Sequence, residues 1–273
     1  MRNKYRSFSV FTALLSLFVL FCLHPAAAAE EFTDLNDYQR WAAYEGYPRG
    51  LLIPIGLEGI NQDYFRSLPD SAGYSSGRIV IGDSRSCQLG ILQERTGADD
   101  YAVFAVWGGH YVNGSGTPIM TGQLLSDVEQ CFQEQIRSRG KCTVFFFATV
   151  NDYDYQWNNN AGNISAAVAA AEWIGSMTYE YEGKRFRPQV VVIGFDGVSA
   201  FTWIPQETFD RYLDPYNESL RDAVKNSPIL TESAPLFTTV PEITGGKTTF
   251  ISDGLHYSDA VLQMITARLK SIE

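Results

Sequence analysis

The residues best suited to chemistry are a serine, a histidine and an aspartate set in two short glycine-bearing motifs. The first reads Gly82-Asp83-Ser84-Arg85-Ser86, and the second Ser252-Asp253-Gly254-Leu255-His256-Tyr257. A serine hydroxyl attacks an acyl carbon only when a base takes its proton, and histidine is the usual base. Without the first 29 residues the chain keeps two histidines, His110 and His256, so the choice of base is nearly binary. Asp253 lies three residues before His256, close enough to orient the imidazole and stabilise its cation. Asp196 is a rival for that role. Taken singly these motifs have ordinary readings: Ser84 as a helix N-cap, Asp253 as a capping aspartate.

Two further motifs could donate hydrogen bonds to an oxyanion. In Trp107-Gly108-Gly109-His110 the glycines let a backbone N–H approach a ligand closely, or simply make a turn. In Asn151-Asp152 the amide can donate, or close an Asx-turn. Tyr153, Tyr155 and Trp157 follow. They are either a stacking wall for a sugar or aryl group, together with Gly109 as a substrate-side residue, or packing.

The elements that must position these residues alternate. Apolar runs at 78–82, 101–107, 142–150, 189–195 and 247–251 read as strands. Residues 35–45, 85–94, 121–139, 163–179, 206–225 and 258–270 read as helices. Continuous apolar strands mean that both sheet faces are covered, the pattern of a parallel sheet. The expectation is an α/β fold, a three-layer α/β/α sandwich on a mostly parallel five-stranded sheet. In such sheets ligands bind beyond the carboxyl ends of the strands. Ser84, Gly108 and Asn151 each follow an expected strand, and Asp253 and His256 follow the last. A nucleophile, oxyanion donors and an acid–base pair therefore fall on one edge.

This set resembles the SGNH, or GDSL, hydrolase family. Gly82-Asp83-Ser84 looks like its first block, Gly108 or Gly109 its second, Asn151 its third, and Asp253-Gly254-Leu255-His256 its fifth. The resemblance runs from about Arg78 to the C-terminus. Thr149 stands where the third block has glycine, and Arg85-Ser86 replaces the common Ser-Leu. The resemblance implies a flavodoxin-like sheet, no metal and no cofactor, and ester hydrolysis. In it Ser84, Asp253 and His256 are catalytic, and Ser84, Gly108 and Asn151 form the oxyanion hole. A short-chain acyl ester, such as an acetyl group on an extracellular glycan, is the leading substrate. Lipase or lysophospholipase action, acyl transfer to a sugar, and an inactive binding module are the alternatives.

Composition bounds the rest. Residues 1–29 open with Arg2, Lys4 and Arg6, continue through an apolar stretch, and end in Ala26-Ala27-Ala28-Ala29. That is the form of a secretory signal cleaved after Ala29, and it implies a secreted or cell-surface protein without a retained membrane span. Removing it leaves 244 residues with 18 basic and 31 acidic side chains, a net charge of −13. Such a chain is a poor partner for nucleic acid or anionic membrane. Residues 30–77 form an aromatic-rich extension packed on a domain at 78–273. Three cysteines remain, Cys87, Cys131 and Cys142. Cys131 and Cys142 are nearest in sequence and could pair, although buried apolar thiols are equally ordinary.

Overall fold

A computed structural model describes residues 30–45, 65–68, 76–112, 117–198, 205–232 and 236–272. The expected signal segment lies outside them. Elements follow in chain order as α1 (Leu35–Tyr44), β1 (Phe65–Ser67), β2 (Arg78–Gly82), α2 (Ser84–Thr96), β3 (Ala102–Ala105), β4 (Gly109–His110) and β5 (Thr117–Pro118). Next come α3 (Gly122–Arg139), β6 (Thr143–Phe147), a 3₁₀ turn (Val150–Asp152), α4 (Asn160–Ser176), β7 (Tyr179–Tyr181), β8 (Lys184–Phe186) and β9 (Gln189–Gly194). The chain closes with α5 (Gln206–Asp210), α6 (Leu213–Asn226), α7 (Pro228–Glu232), β10 (Leu236–Thr239), α8 (Val240–Thr244) and α9 (Asp259–Ser271).

The central sheet has the order β1-β3-β2-β6-β9-β10. Five strands are parallel, and β1 adds an antiparallel edge on β3. The parallel part has the flavodoxin-like order, with the first strand between the second and third. Strand residues alternate between two cores. Ile79, Ile81, Phe146, Val190 and Val192 face α3, α4 and α6. Val80, Phe145, Phe147, Val191 and Ile193 face α2 and α9. With both faces covered, the strands must be apolar at nearly every position, which makes them legible as runs.

Three expectations need correction. The last strand is β10, at Leu236–Thr239, and not 247–251, where only Phe250 bridges Tyr257. β10 has just four residues, Leu-Phe-Thr-Thr, and Pro241 stops it, so it falls below the length at which a run stands out. The sheet is six-stranded, not five-stranded, because the segment before Arg78 contributes β1. The unit that holds it runs from Phe32 to Glu273. Finally, residues 206–225 are two helices. A continuous helix would press the ring of Pro215 onto the carbonyl of Arg211. The break at Arg211–Tyr212 instead leaves Pro215 in the first turn of α6. The β7–β8 hairpin is an addition: Glu182 and Gly183 take φ of 51° and 73° at its turn, the backbone that a two-residue hairpin needs.

Candidate active site

Ser84 opens α2 directly after β2. The turn is tight: a Cβ on Gly82 would lie 2.2 Å from Ser86 Oγ and 3.0 Å from Phe147 Cβ. Glycine is therefore required where strand and helix meet. Asp83, not Ser84, is the N-cap, and its Oδ1 accepts from the Arg85 N–H at 3.0 Å. The N-cap reading of the serine thus fails. Its hydroxyl is free for another partner, and it sits at the positive end of the helix.

That partner is His256. Ser84 Oγ lies 2.8 Å from His256 Nε2, 172 positions away in sequence. Both side chains are buried. His256 Nδ1 lies 2.5 Å from Asp253 Oδ2. Asp253 Oδ1 accepts from the backbone N–H groups of Leu255 and His256, each at 2.9 Å. Burial pushes the Asp253 carboxyl up, but the imidazole and these two N–H groups outweigh it and hold it below the usual carboxylate range. Trp107 stacks on the His256 ring at 4.7 Å and 24°. Apart from the position of Trp107 after β3, nothing in the residue pattern points to this contact.

The rival residues are occupied elsewhere. His110 Nδ1 pairs with Asp152 Oδ1 at 2.9 Å. Asp152 Oδ2 also accepts from the Tyr111 N–H at 2.7 Å. Asp196 binds its neighbour Gly197 through Oδ1. Neither His110 nor Asp196 has a bond to the Ser84–His256–Asp253 chain.

The donor candidates separate cleanly. Gly108 has φ of 68°, a conformation that favours glycine. Among the described residues the N–H groups of Ser84 and Gly108 carry no hydrogen bond, whereas that of Gly109 donates to Val106 O at 2.9 Å. The Gly109 carbonyl accepts from Asn151 Nδ2 and Thr149 Oγ1, both at 3.0 Å. Gly109 is therefore a structural junction and not a substrate-side residue. Asn151 spends one of its two amide N–H bonds on Gly109 and keeps the other.

Thr149, the departure from glycine, ties the motifs together. Its hydroxyl lies 2.7 Å from Asp83 Oδ2 and accepts from the Asn151 N–H at 3.1 Å. It thus links the serine motif, the glycine loop and the asparagine turn. A glycine pattern cannot show what a hydroxyl at this position would bind.

The aromatic cluster divides. Tyr153 is a core residue: its hydroxyl donates to Phe209 O at 2.6 Å, and its ring packs edge-on against Phe195, Phe209 and Tyr216. Its expected place in a substrate wall is withdrawn. Tyr155 is half-buried and lines a cleft of about 630 Å³ that Asn151 also lines. Trp157 is 37% exposed, lies 5.5 Å from the Tyr212 ring, and has φ of 65°. A left-handed tryptophan is strained by about 1–2 kcal/mol. Cys87, Cys131 and Cys142 are buried free thiols, so Cys131 and Cys142 do not pair. No cluster of metal-ligating side chains occurs among the described residues, and none of their helices is long and apolar enough to cross a membrane.

No protein-family model and no curated protein matches the chain. It is similar in structure to an aryl esterase of M. smegmatis, at 14% identity over 71% of this chain and 96% of that one, with a TM-score of 0.46. It is also similar to a carbohydrate acetylesterase from Sinorhizobium meliloti (13%, 71% and 95%, TM-score 0.46). A third similar structure is an acetylxylan esterase from Geobacillus stearothermophilus (13%, 73% and 97%, TM-score 0.40).

Proposed function

We propose that the protein is an exported serine esterase acting on short-chain acyl esters, with acetylated glycans as the leading substrate class. The observation that carries the reading is the unbroken chain Ser84 Oγ–His256 Nε2–His256 Nδ1–Asp253 Oδ2, at 2.8 Å and 2.5 Å. His256 Nε2 takes the Ser84 proton as Oγ bonds to the acyl carbon. The carbonyl oxygen becomes an oxyanion. The N–H groups of Ser84 and Gly108 and the remaining Asn151 amide N–H are the donors available to it. Collapse breaks the bond to the alcohol, which leaves with the proton from the imidazolium. Water then attacks the acyl-enzyme with His256 again as base. The carboxylic acid departs and Ser84 regains its proton.

The glycan part is supported by Trp157. An exposed aromatic ring held in a strained backbone, one residue before Asn158 of the cleft that Asn151 lines, suits the face of a sugar ring. Export rests on the composition of residues 1–29 alone. The test is a panel of acetylated xylan and of p-nitrophenyl esters from acetyl to palmitoyl. It is run on the wild type beside Ser84→Ala. The expected result is acetate release and acetyl-ester turnover by wild type only. Equal turnover by both proteins would end the assignment.

A further inference from the structure

Arg85, the residue after the serine, is placed at a cost on three counts. It lies in the first turn of α2, where a cation opposes the helix dipole. Its side chain is buried, with 3% of the residue exposed. None of its hydrogen-bond partners is a carboxylate. A buried cation bound only by neutral groups is expensive unless its geometry is nearly saturated. Four of its five N–H donors are bonded here, to the two residues that flank His256 and to two carbonyls just beyond β9.

Nε donates to Leu255 O at 3.1 Å, and Nη1 to Tyr257 Oη at 3.0 Å. These are the residues immediately before and after His256. Nη1 also reaches Asp196 O at 3.2 Å, and Nη2 reaches Gly197 O at 3.1 Å, at the carboxyl end of β9. The guanidinium stands 4.6 Å over the Tyr257 ring. Burial pushes the Tyr257 hydroxyl up to about 12, with Arg85 pulling the other way, so it stays a neutral partner. One turn further along α2, Gln88 accepts from the Tyr257 N–H and donates to the Tyr257 carbonyl, both at 3.0 Å. The helix that carries Ser84 therefore grips the backbone on both sides of His256 as well as its ring.

We infer that Arg85 is a positioning residue for the proposed esterase: its planar fork fixes the Asp253–His256 loop against α2 and so sets the Ser84–His256 hydrogen bond. Arginine is needed because the donors must diverge in one plane to several carbonyls, which the single point charge of lysine cannot do. The role rests on the esterase reading and adds to it a requirement that the serine–histidine pair alone does not contain.

The test compares wild type with Arg85→Lys and Arg85→Met, with Ser84→Ala as the control. Active sites are titrated with a fluorophosphonate, and acylation is then measured per titrated site. A merely structural role lowers the fraction of competent sites and leaves the rate of each unchanged. A positioning role keeps the titre near one while kcat per site falls by about 100-fold for an ångström-scale misplacement. KM stays within a few-fold. Arg85→Lys loses nearly as much as Arg85→Met. Independently of turnover, the downfield proton resonance of the His256–Asp253 hydrogen bond should broaden or vanish in both variants. Folded variants with wild-type rate per site and an unchanged resonance overturn the inference, as does failure of both to fold. Failure of the wild type to label, or labelling of Ser84→Ala, instead overturns the esterase reading itself.

Discussion

Replacing Asp253 by asparagine should disable the site through the tautomer of His256, and the local geometry says why. Asp253 Oδ1 accepts two backbone N–H groups at 2.9 Å while Oδ2 faces His256 Nδ1 at 2.5 Å. An amide has one acceptor and one donor end. The NH₂ end cannot face two backbone N–H groups, so the carbonyl oxygen must take that place and the NH₂ must turn toward Nδ1. The neutral imidazole then accepts at Nδ1 and carries its proton on Nε2. In that tautomer it donates to Ser84 and cannot remove the Ser84 proton. The expected loss in kcat is about 10⁴-fold, equivalent to about 5.4 kcal/mol. The fold persists, because three neutral hydrogen bonds replace three charge-assisted ones, a change of about 1 kcal/mol each. The assay is kcat/KM on p-nitrophenyl acetate beside a thermal melt. A folded Asp253→Asn protein within tenfold of wild type would show that the tautomer of His256 does not control the site.

Asn151→Ala should lower kcat by about 100-fold, because it removes one of the proposed oxyanion donors, while far-UV circular dichroism stays as in wild type; unchanged turnover would remove Asn151 from the site. Trp157→Gly relieves the left-handed strain, so its melting temperature should equal or exceed that of wild type, while KM for an acetylated oligosaccharide rises several-fold; a lower melting temperature would show that the backbone there is unstrained. The Asp253 carboxyl is held below 3.8 in the folded chain, so its contribution to stability is present above the unfolded value. That contribution is lost as pH falls through the folded one. Below about pH 4, acid denaturation curves of wild type and Asp253→Asn should therefore converge, and a constant offset down to pH 2 would contradict this. Cys87, Cys131 and Cys142 are buried and free, so a thiol reagent should leave them unmodified in the native protein and label all three in guanidinium; native labelling would show the core to be open.

Much of this was legible because burial makes a two-sided strand apolar throughout. The strands β2, β3, β6 and β9 announce themselves, and a residue just past each belongs to one edge of the sheet. That logic brought Ser84, Gly108 and Asn151 to the same edge and placed Asp253 beside His256. It failed where the signal is short or depends on a distant partner. β10 spans four residues, and β1 is recognisable only through its pairing with β3. Tyr153 and Trp157 look alike as aromatics in a polar stretch, yet one packs in the core and the other is exposed. Arg85 shows in the sequence only as a departure from the common Ser-Leu, because nothing near it reveals the carbonyls it meets at 196, 197 and 255.

In the proposed reaction the hydroxyl of Ser84 becomes the acyl carrier. The direct measurement is mass mapping of a fluorophosphonate adduct on the wild-type protein. One adduct is expected, on the peptide bearing Ser84, abolished in Ser84→Ala and much slowed in His256→Ala. An adduct on another residue, or acetyl-ester turnover that persists with Ser84 unmodified, would contradict it.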